Sequence, residues 1–125
     1  MPRRAVVAGV NDYTAQASLP PGWSVGNLNC CVADAQSMHD LLESAFLFDQ
    51  INVLTDAAAT HDAIYQSIQD MLAASAPGDV ACFVYSGHGG RFPVDPANPG
   101  RYYESIIPAS GNMITDLDIY NLANS

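Results

Sequence analysis

The sequence predicts an α/β domain in which a mostly parallel β-sheet is covered by helices on both faces. A continuous apolar run at residues 5–10 and two mainly apolar segments at 51–54 and 80–86 indicate three strands. Two segments with apolar residues at helical spacing, 31–46 and 60–72, lie between them. Strands that alternate with helices form crossover units, and crossover units build a parallel sheet.

Turn and cap residues mark the ends of these elements. The first run closes in Gly9-Val10-Asn11-Asp12, and the segment 14–29 that follows is rich in Pro and Gly, which predicts an irregular loop. Asn29 is the expected cap of the first helix and Thr60 that of the second, because short polar side chains accept hydrogen bonds from free helix N–H groups. Pro77-Gly78 ends the second helix before the third strand begins.

After the third strand the pattern is less regular. Residues 87–101 are rich in Gly and Pro and predict a loop, which is long for a compact domain and therefore a candidate functional segment. Residues 103–108 look extended, and a final short helix is expected to start at Thr115 or Asp116 and to run to Leu122. An α/β unit of this kind should add a further strand after its last helix, so residues 1–125 are predicted to form a single, incomplete domain.

Composition excludes several classes of protein. The 125 residues include 4 basic and 13 acidic ones, which gives a formal net charge of −9. Such a surface repels phosphates, so neither nucleic acid nor an anionic membrane is an expected partner. No apolar run approaches the roughly 20 residues that span a bilayer. The three cysteines show no CxxC spacing, which argues against a zinc or disulfide framework and makes a reducing cytoplasm the expected location.

The turn Ser86-Gly87-His88-Gly89-Gly90 is the strongest candidate site. It follows the third strand, and the carboxyl ends of strands in α/β sheets are where ligands bind. His-Gly-Gly after a strand can supply oxyanion-hole amides in α/β-hydrolases, but that mechanism needs a Gly-x-Ser-x-Gly turn, which this chain lacks. In cysteine peptidases, by contrast, the histidine itself transfers the proton, which predicts a histidine–thiol pair here.

Six segments carry a common pattern along nearly the whole chain. They are Ala5-Val6-Val7-Ala8-Gly9-Val10-Asn11-Asp12-Tyr13, Leu28-Asn29-Cys30-Cys31-Val32-Ala33-Asp34-Ala35, Val53-Leu54-Thr55-Asp56, Tyr85-Ser86-Gly87-His88-Gly89, and Glu104-Ser105-Ile106-Ile107-Pro108 with Ile114-Thr115-Asp116. In this order they resemble the metacaspases, the caspase-like cysteine peptidases of plants, fungi, protists and bacteria. The resemblance implies a caspase-like three-layer fold whose last strand or strands lie outside this chain.

The resemblance also implies roles for individual residues. His88 would be the general base of a cysteine–histidine dyad, and Gly89 would offer its N–H to the oxyanion. Cys31, Asp34 and Ser86 match positions that line the pocket for the residue before the cut. A carboxylate in that pocket favours Arg or Lys, so the expected partner is a peptide or protein substrate with a basic residue there.

The nucleophile is the main departure from the family pattern. The family carries it in an Asp-x-Cys-x-Ser-Gly strand after the last helix, which this chain does not include. Cys82 falls inside the third strand and is expected to be buried and inert, while Cys30 and Cys31 match the pocket rather than the nucleophile. The chain alone is therefore predicted to be inactive, and a downstream cysteine-bearing segment or a second fragment of the same protein is the expected partner.

No cofactor is expected to be required. The resemblance implies a calcium site of acidic residues, since calcium takes oxygen ligands. Asp116 matches one of them, but Leu117 stands where a second Asp is usual and Tyr103 where an Asp often precedes Glu104. Calcium is therefore left open as a ligand and is not expected as an activator.

Two other functions stay open. The chain can be a catalytically inactive, caspase-like interaction or scaffold module, whose last strand edge pairs with another chain. It can also be a nucleotide-binding, flavodoxin-like domain. The turn Gly9-Val10-Asn11-Asp12 argues against the latter, because it offers one glycine and a carboxylate where a phosphate loop needs several glycines.

Overall fold

A parallel three-stranded sheet forms the centre of the molecule, in a computed structural model that describes residues 1–125. Its strands are β1 (Arg3–Gly9), β2 (Gln50–Thr55) and β3 (Val80–Ser86), in the order β2-β1-β3. β1 pairs in parallel with both neighbours, and Val7 lies opposite Val53 on one side and Val84 on the other. The predicted parallel sheet is thus confirmed.

Two helices cover opposite faces of this sheet, α1 (Cys31–Ser44) and α2 (His61–Ala74). Ala5 and Val7 of β1 pack in one apolar cluster with Ala35 and Leu42 of α1. Ala8, whose side chain points to the other face, packs in a second cluster that contains α2 residues. Alternate residues of β1 therefore face different helices, which explains why this strand is apolar throughout.

The larger cluster also joins α2 to the C-terminal part of the chain. Its ten buried residues are Ala8, Val10, Tyr13, Ala59, Ile64, Ile68, Ile107, Ala109, Ile114 and Leu122. Leu122 belongs to α3 (Asp116–Ala123), the predicted final helix. Thr115 caps α3 by accepting a hydrogen bond from the Asp118 N–H, and Thr60 caps α2 through the Ala63 N–H, as the sequence predicted.

A small antiparallel sheet follows β3 and corrects one prediction. Its strands are β4 (Gly89–Pro93), β5 (Tyr102–Ile106) and β6 (Ile114–Thr115), in that order. The long loop predicted for residues 87–101 was therefore wrong, since the connection between β4 and β5 spans only 94–101. Two glycines and a proline hide β4 in the sequence, and pairing with the distant strand β5 supplies the hydrogen bonds that stabilise it.

Two further details differ from the sequence predictions. Helix α1 is preceded by Cys30 rather than capped by Asn29, and Cys30 makes no side-chain cap hydrogen bond. Cys82 is partly exposed rather than buried, because β3 is an edge strand whose first residues lie near the surface. None of the helices has the length and apolar character that crossing a membrane requires.

Candidate active site

The carboxyl ends of the three parallel strands meet at one edge of the central sheet. Gly9 of β1 pairs with Thr55 of β2 and with Ser86 of β3, so the segments that follow these strands converge there. One of them is the turn Gly87-His88, which leads directly into β4 at Gly89. The topology therefore brings His88 to the crevice where α/β sheets hold their ligands.

The imidazole of His88 is oriented by a main-chain carbonyl. Its Nε2 lies 2.8 Å from the Gly26 oxygen, in the loop between β1 and α1. A carbonyl oxygen can only accept, so Nε2 carries the proton of this hydrogen bond. In the neutral ring, Nδ1 then keeps its lone pair and can act as a base. The ring of Tyr13 flanks the imidazole at a centroid distance of 4.8 Å and an interplanar angle of 58°.

The N–H of Gly89 points away from the small sheet. The preceding carbonyl, that of His88, accepts a hydrogen bond from the Ile107 N–H at 2.9 Å. In a trans peptide the C=O and N–H vectors are opposed, so the Gly89 N–H is directed to the other side of β4. β4 is an edge strand, which leaves this side free of a neighbouring strand.

Asp34 and Ser86 meet across the gap between α1 and β3. The Ser86 hydroxyl donates to the Asp34 carboxylate at 2.8 Å, although the residues are 52 positions apart. Together they are part of the wall of a cavity of about 380 Å³, whose apolar side includes Met38, Leu41 and Val84. A cavity with apolar walls and one carboxylate suits a side chain with an aliphatic stem and a cationic end.

Cys31 lies at the start of α1 and is not part of the wall of this cavity. Its N–H donates to the Asn11 side-chain oxygen at 2.8 Å, and the Val32 N–H shares this acceptor at 3.3 Å. Asn11 thus caps α1 from the end of β1. The sequence pattern pointed to Asn29 for this task, and Asn11 was missed because it precedes Cys31 by 20 positions.

Two tyrosines, also missed as site residues, hold the main chain of the histidine turn: Tyr13 is buried and Tyr85 is partly buried. The Tyr13 hydroxyl accepts from the His88 N–H at 2.7 Å and lies 2.9 Å from the Tyr85 hydroxyl. Burial raises the pKa of Tyr85 far above its ordinary value, and hydrogen bonding to Tyr13 adds to this rise. Burial likewise raises the pKa of Tyr13. Both hydroxyls therefore stay protonated at neutral pH.

The acidic residues near α3 accept hydrogen bonds from main-chain N–H groups. Asp116 accepts a hydrogen bond from the Leu117 N–H at 2.9 Å, and Asp118 accepts one from the Thr115 N–H. No three His, Cys, Asp or Glu side chains come together to hold a metal ion.

Comparison with known proteins shows to which family the chain belongs. Residues 3–125 match the family model described as the metacaspase, peptidase C14 domain. The chain belongs to the metacaspase family. It is similar to Metacaspase-9 of Arabidopsis thaliana, with 37% identity over 107 residues, which cover 78% of this chain and 33% of that protein. Metacaspase-4 of the same plant is 29% identical over 133 residues, which cover 99% of this chain and 30% of that protein.

A solved structure shares the fold of this chain. The protein GSU0716 from Geobacter sulfurreducens superimposes with a TM-score of 0.78 at 30% sequence identity. The match covers 98% of this chain and 44% of that one. This metacaspase chain thus spans about a third of the length of its curated relatives and carries part of a caspase-like domain.

Proposed function

We propose that this chain carries the histidine-bearing half of a cysteine endopeptidase site that cleaves after Arg or Lys. The observation that carries the proposal is the orientation of His88. Its Nε2 is engaged by the Gly26 carbonyl at 2.8 Å, and Nδ1 is left as the basic atom. The family membership supports a peptidase role, and the outward Gly89 N–H supports the oxyanion role expected from the sequence.

The proposed chemistry is acyl transfer through a thioester. Nδ1 of His88 accepts the proton of a cysteine thiol, and the thiolate sulfur forms a bond to the carbonyl carbon of the substrate. The negative oxygen of the tetrahedral intermediate takes the Gly89 N–H as a donor. The C–N bond then breaks, and the amine leaves with the proton from Nδ1. Water, deprotonated by the same nitrogen, hydrolyses the thioester and releases the thiol.

A thiol from a further segment fits this mechanism better than the chain's own cysteines. Cys82 precedes Ser86 by four strand residues, which places their Cα atoms about 13 Å apart. The one hydrogen bond of the His88 ring goes to Gly26 rather than to a sulfur. β3 pairs with β1 on one side only, so its other edge can accept the Asp-x-Cys-x-Ser-Gly strand of the family.

The specificity proposal depends on Asp34. Its carboxylate accepts from the Ser86 hydroxyl and borders the cavity between α1 and β3. A guanidinium or ammonium group that enters this cavity replaces its water contacts by a charge-assisted hydrogen bond. The net charge of −9 further favours the approach of basic peptides.

Fluorogenic peptides that differ only in the residue before the cut test these proposals. We expect no turnover by the 125-residue chain alone, and turnover of Arg and Lys peptides once a segment with the Asp-x-Cys-x-Ser-Gly strand is supplied. His88→Ala should then lower kcat by about 10²–10⁴, the typical contribution of a general base. Asp34→Asn should lower kcat/KM for Arg peptides by about 10–100-fold, because hydrogen bonds to charged groups contribute about 1.5–3 kcal/mol.

Asp40→Asn is the matched control, since Asp40 is an exposed carboxylate on the same helix, where its contact is the His39 ring. Turnover by the chain alone that disappears in His88→Ala would show that no further segment is needed. Preference for Asp peptides over Arg peptides would contradict the role of Asp34.

The open edge of β3 supports a second candidate, a catalytically inactive interaction module. Strand addition uses main-chain hydrogen bonds and needs no active residue at His88. In that case a cysteine-bearing segment binds the chain, while His88→Ala changes neither binding nor turnover. Wild-type turnover that depends on His88 excludes this alternative.

A further inference from the structure

The main chain of His88 lacks one hydrogen bond that its place in the small sheet would normally provide. Gly89 pairs with Ile106, so the register sets His88 opposite Ile107. The Ile107 N–H donates to the His88 oxygen at 2.9 Å, as expected for a hydrogen-bonded pair of antiparallel strands. The return bond, from the His88 N–H to the Ile107 oxygen, is missing, because the His88 N–H donates to Tyr13 instead.

Two tyrosine hydroxyls bridge this gap as a relay. The His88 N–H donates to the Tyr13 hydroxyl, which lies 2.9 Å from the Tyr85 hydroxyl. The Tyr85 hydroxyl lies 2.7 Å from the Ile107 oxygen and 2.7 Å from the His88 oxygen. Carbonyls can only accept, so Tyr85 donates to one of them and accepts from Tyr13. Every proton of the relay therefore points from the His88 N–H towards the carbonyls.

The turn is shaped to admit these hydroxyls. A Cβ atom on Gly87 would lie 2.6 Å from the Tyr13 hydroxyl and closer still to that of Tyr85. Real Cβ atoms essentially never approach so closely, so the relay requires glycine at position 87. The Tyr13 ring, whose hydroxyl holds the His88 N–H, also lies against the imidazole in a tilted arrangement, with 4.8 Å between the ring centroids. Main chain and side chain of His88 are thus fixed by the same tyrosine.

We propose that Tyr13 and Tyr85 are positioning residues, whose paired hydroxyls hold the His88 main chain so that its imidazole meets the Gly26 carbonyl and leaves Nδ1 as the base. The proposal rests on the proposed function only in naming His88 as that base. The tyrosines touch neither substrate nor nucleophile in this mechanism, and they act through the orientation of the histidine.

Nuclear magnetic resonance of the 15N-labelled 125-residue chain tests the proposal without any peptidase assay. In the wild type, at a pH where the ring is neutral, we expect the ring nitrogen shifts of His88 to report the Nε2–H tautomer alone. The His88 amide should exchange with solvent at least about tenfold more slowly than the free Gly89 amide, which corresponds to the protection of one hydrogen bond. An Nδ1–H tautomer, or equal exchange of the two amides, would overturn the proposal.

Removal of single hydroxyls separates positioning from general stability. Tyr13→Phe leaves the His88 N–H without an acceptor, so its exchange should rise about tenfold and the ring should become a mixture of tautomers. Tyr85→Phe keeps the Tyr13 hydroxyl as acceptor but removes the hydroxyl to which Tyr13 donates. The changes in amide exchange and in tautomer should therefore have the same sign as in Tyr13→Phe and be smaller. Because the hydroxyls act in series, the double variant should change less than the sum of the single variants.

Tyr65→Phe is the control, because Tyr65 lies on α2 and stacks on His61 at 5.7 Å rather than on His88. If Tyr13→Phe does not fold, the positioning role is tested by the spectra of Tyr85→Phe and of the wild type. Wild-type ring shifts and wild-type exchange at His88 in folded Tyr13→Phe and Tyr85→Phe would refute the positioning role. Failure of the proposed function appears elsewhere, as absent His88-dependent turnover, and leaves these spectra unchanged.

Discussion

The cap that Asn11 provides for α1 makes the sharpest stability prediction. Helix α1 starts at Cys31 with no side-chain cap from its own N-terminal residue, Cys30. Asn11 supplies one oxygen to two of the free N–H groups, at 2.8 Å from Cys31 and 3.3 Å from Val32. Asn11→Ala removes this acceptor and leaves two partly buried donors without a partner.

The expected loss follows from the number and burial of these donors. Replacement of a capping side chain by Ala typically costs about 0.5–2 kcal/mol, and an unsatisfied buried donor about 1–3 kcal/mol. Solvent reaches part of this site because Cys31 is only half-buried, so we expect a loss of about 1–2 kcal/mol. For a domain of 125 residues this lowers Tm by about 3–10 °C. Urea denaturation followed by circular dichroism measures the free energy of unfolding.

Two variants control this measurement. Asn11→Asp keeps the oxygen and places a negative charge at the helix N-terminus, so it should retain most of the stability. Thr60→Ala removes the cap of α2 and should lower the free energy of unfolding by about 1 kcal/mol. It should leave the NMR signals of Asp34 and Ser86 in place, whereas Asn11→Ala should shift them. A loss below about 0.3 kcal/mol in Asn11→Ala, or an equal loss in Asn11→Asp, would refute the capping role.

Three further predictions concern the tyrosine pair and the core. Gly87→Ala should lower the free energy of unfolding by about 1–3 kcal/mol, because the added Cβ meets both tyrosine hydroxyls. A Cβ on Gly100 meets no atom within 4 Å, so Gly100→Ala should change this free energy by less than about 0.5 kcal/mol. Equal losses for the two variants in urea titrations would contradict the packing argument. Folding raises the pKa values of Tyr13 and Tyr85, so the unfolded chain loses these protons at a lower pH than the folded chain does. The free energy of unfolding should therefore fall above pH 10, by up to about 1.4 kcal/mol per pH unit for each tyrosine. Tyr85→Phe should make this loss of stability at alkaline pH less steep in thermal melts recorded at several pH values. An unchanged slope would contradict the raised pKa of Tyr85 as its cause. Ile64→Ala, at a side chain that is 0% exposed, should cost about 2–5 kcal/mol in the same titrations, and a loss below about 1 kcal/mol would contradict its place in the core.

Much of the fold was predictable because its signals are local. The apolar run before Gly9 and the helical spacing after Cys31 each reflect a periodicity within a few residues. The position of His88 after β3 also follows from neighbouring residues, as does the Thr60 cap of α2. β4 was missed because its stability comes from pairing with β5. The paired residues range from Gly89 and Ile106, 17 positions apart, to Pro93 and Tyr102, 9 positions apart.

The sequence by itself determined the parallel core, the order of its strands and helices, and a histidine at the carboxyl end of the third strand. Only the tertiary structure decided how that histidine is held. The Asp34–Ser86 contact joins residues 52 positions apart, and the Tyr13–His88 bond joins residues 75 positions apart. Such contacts depend on the crossing of whole elements at the sheet edge, which no local periodicity encodes. The Gly26 carbonyl and the two tyrosine hydroxyls meet at His88 for this reason.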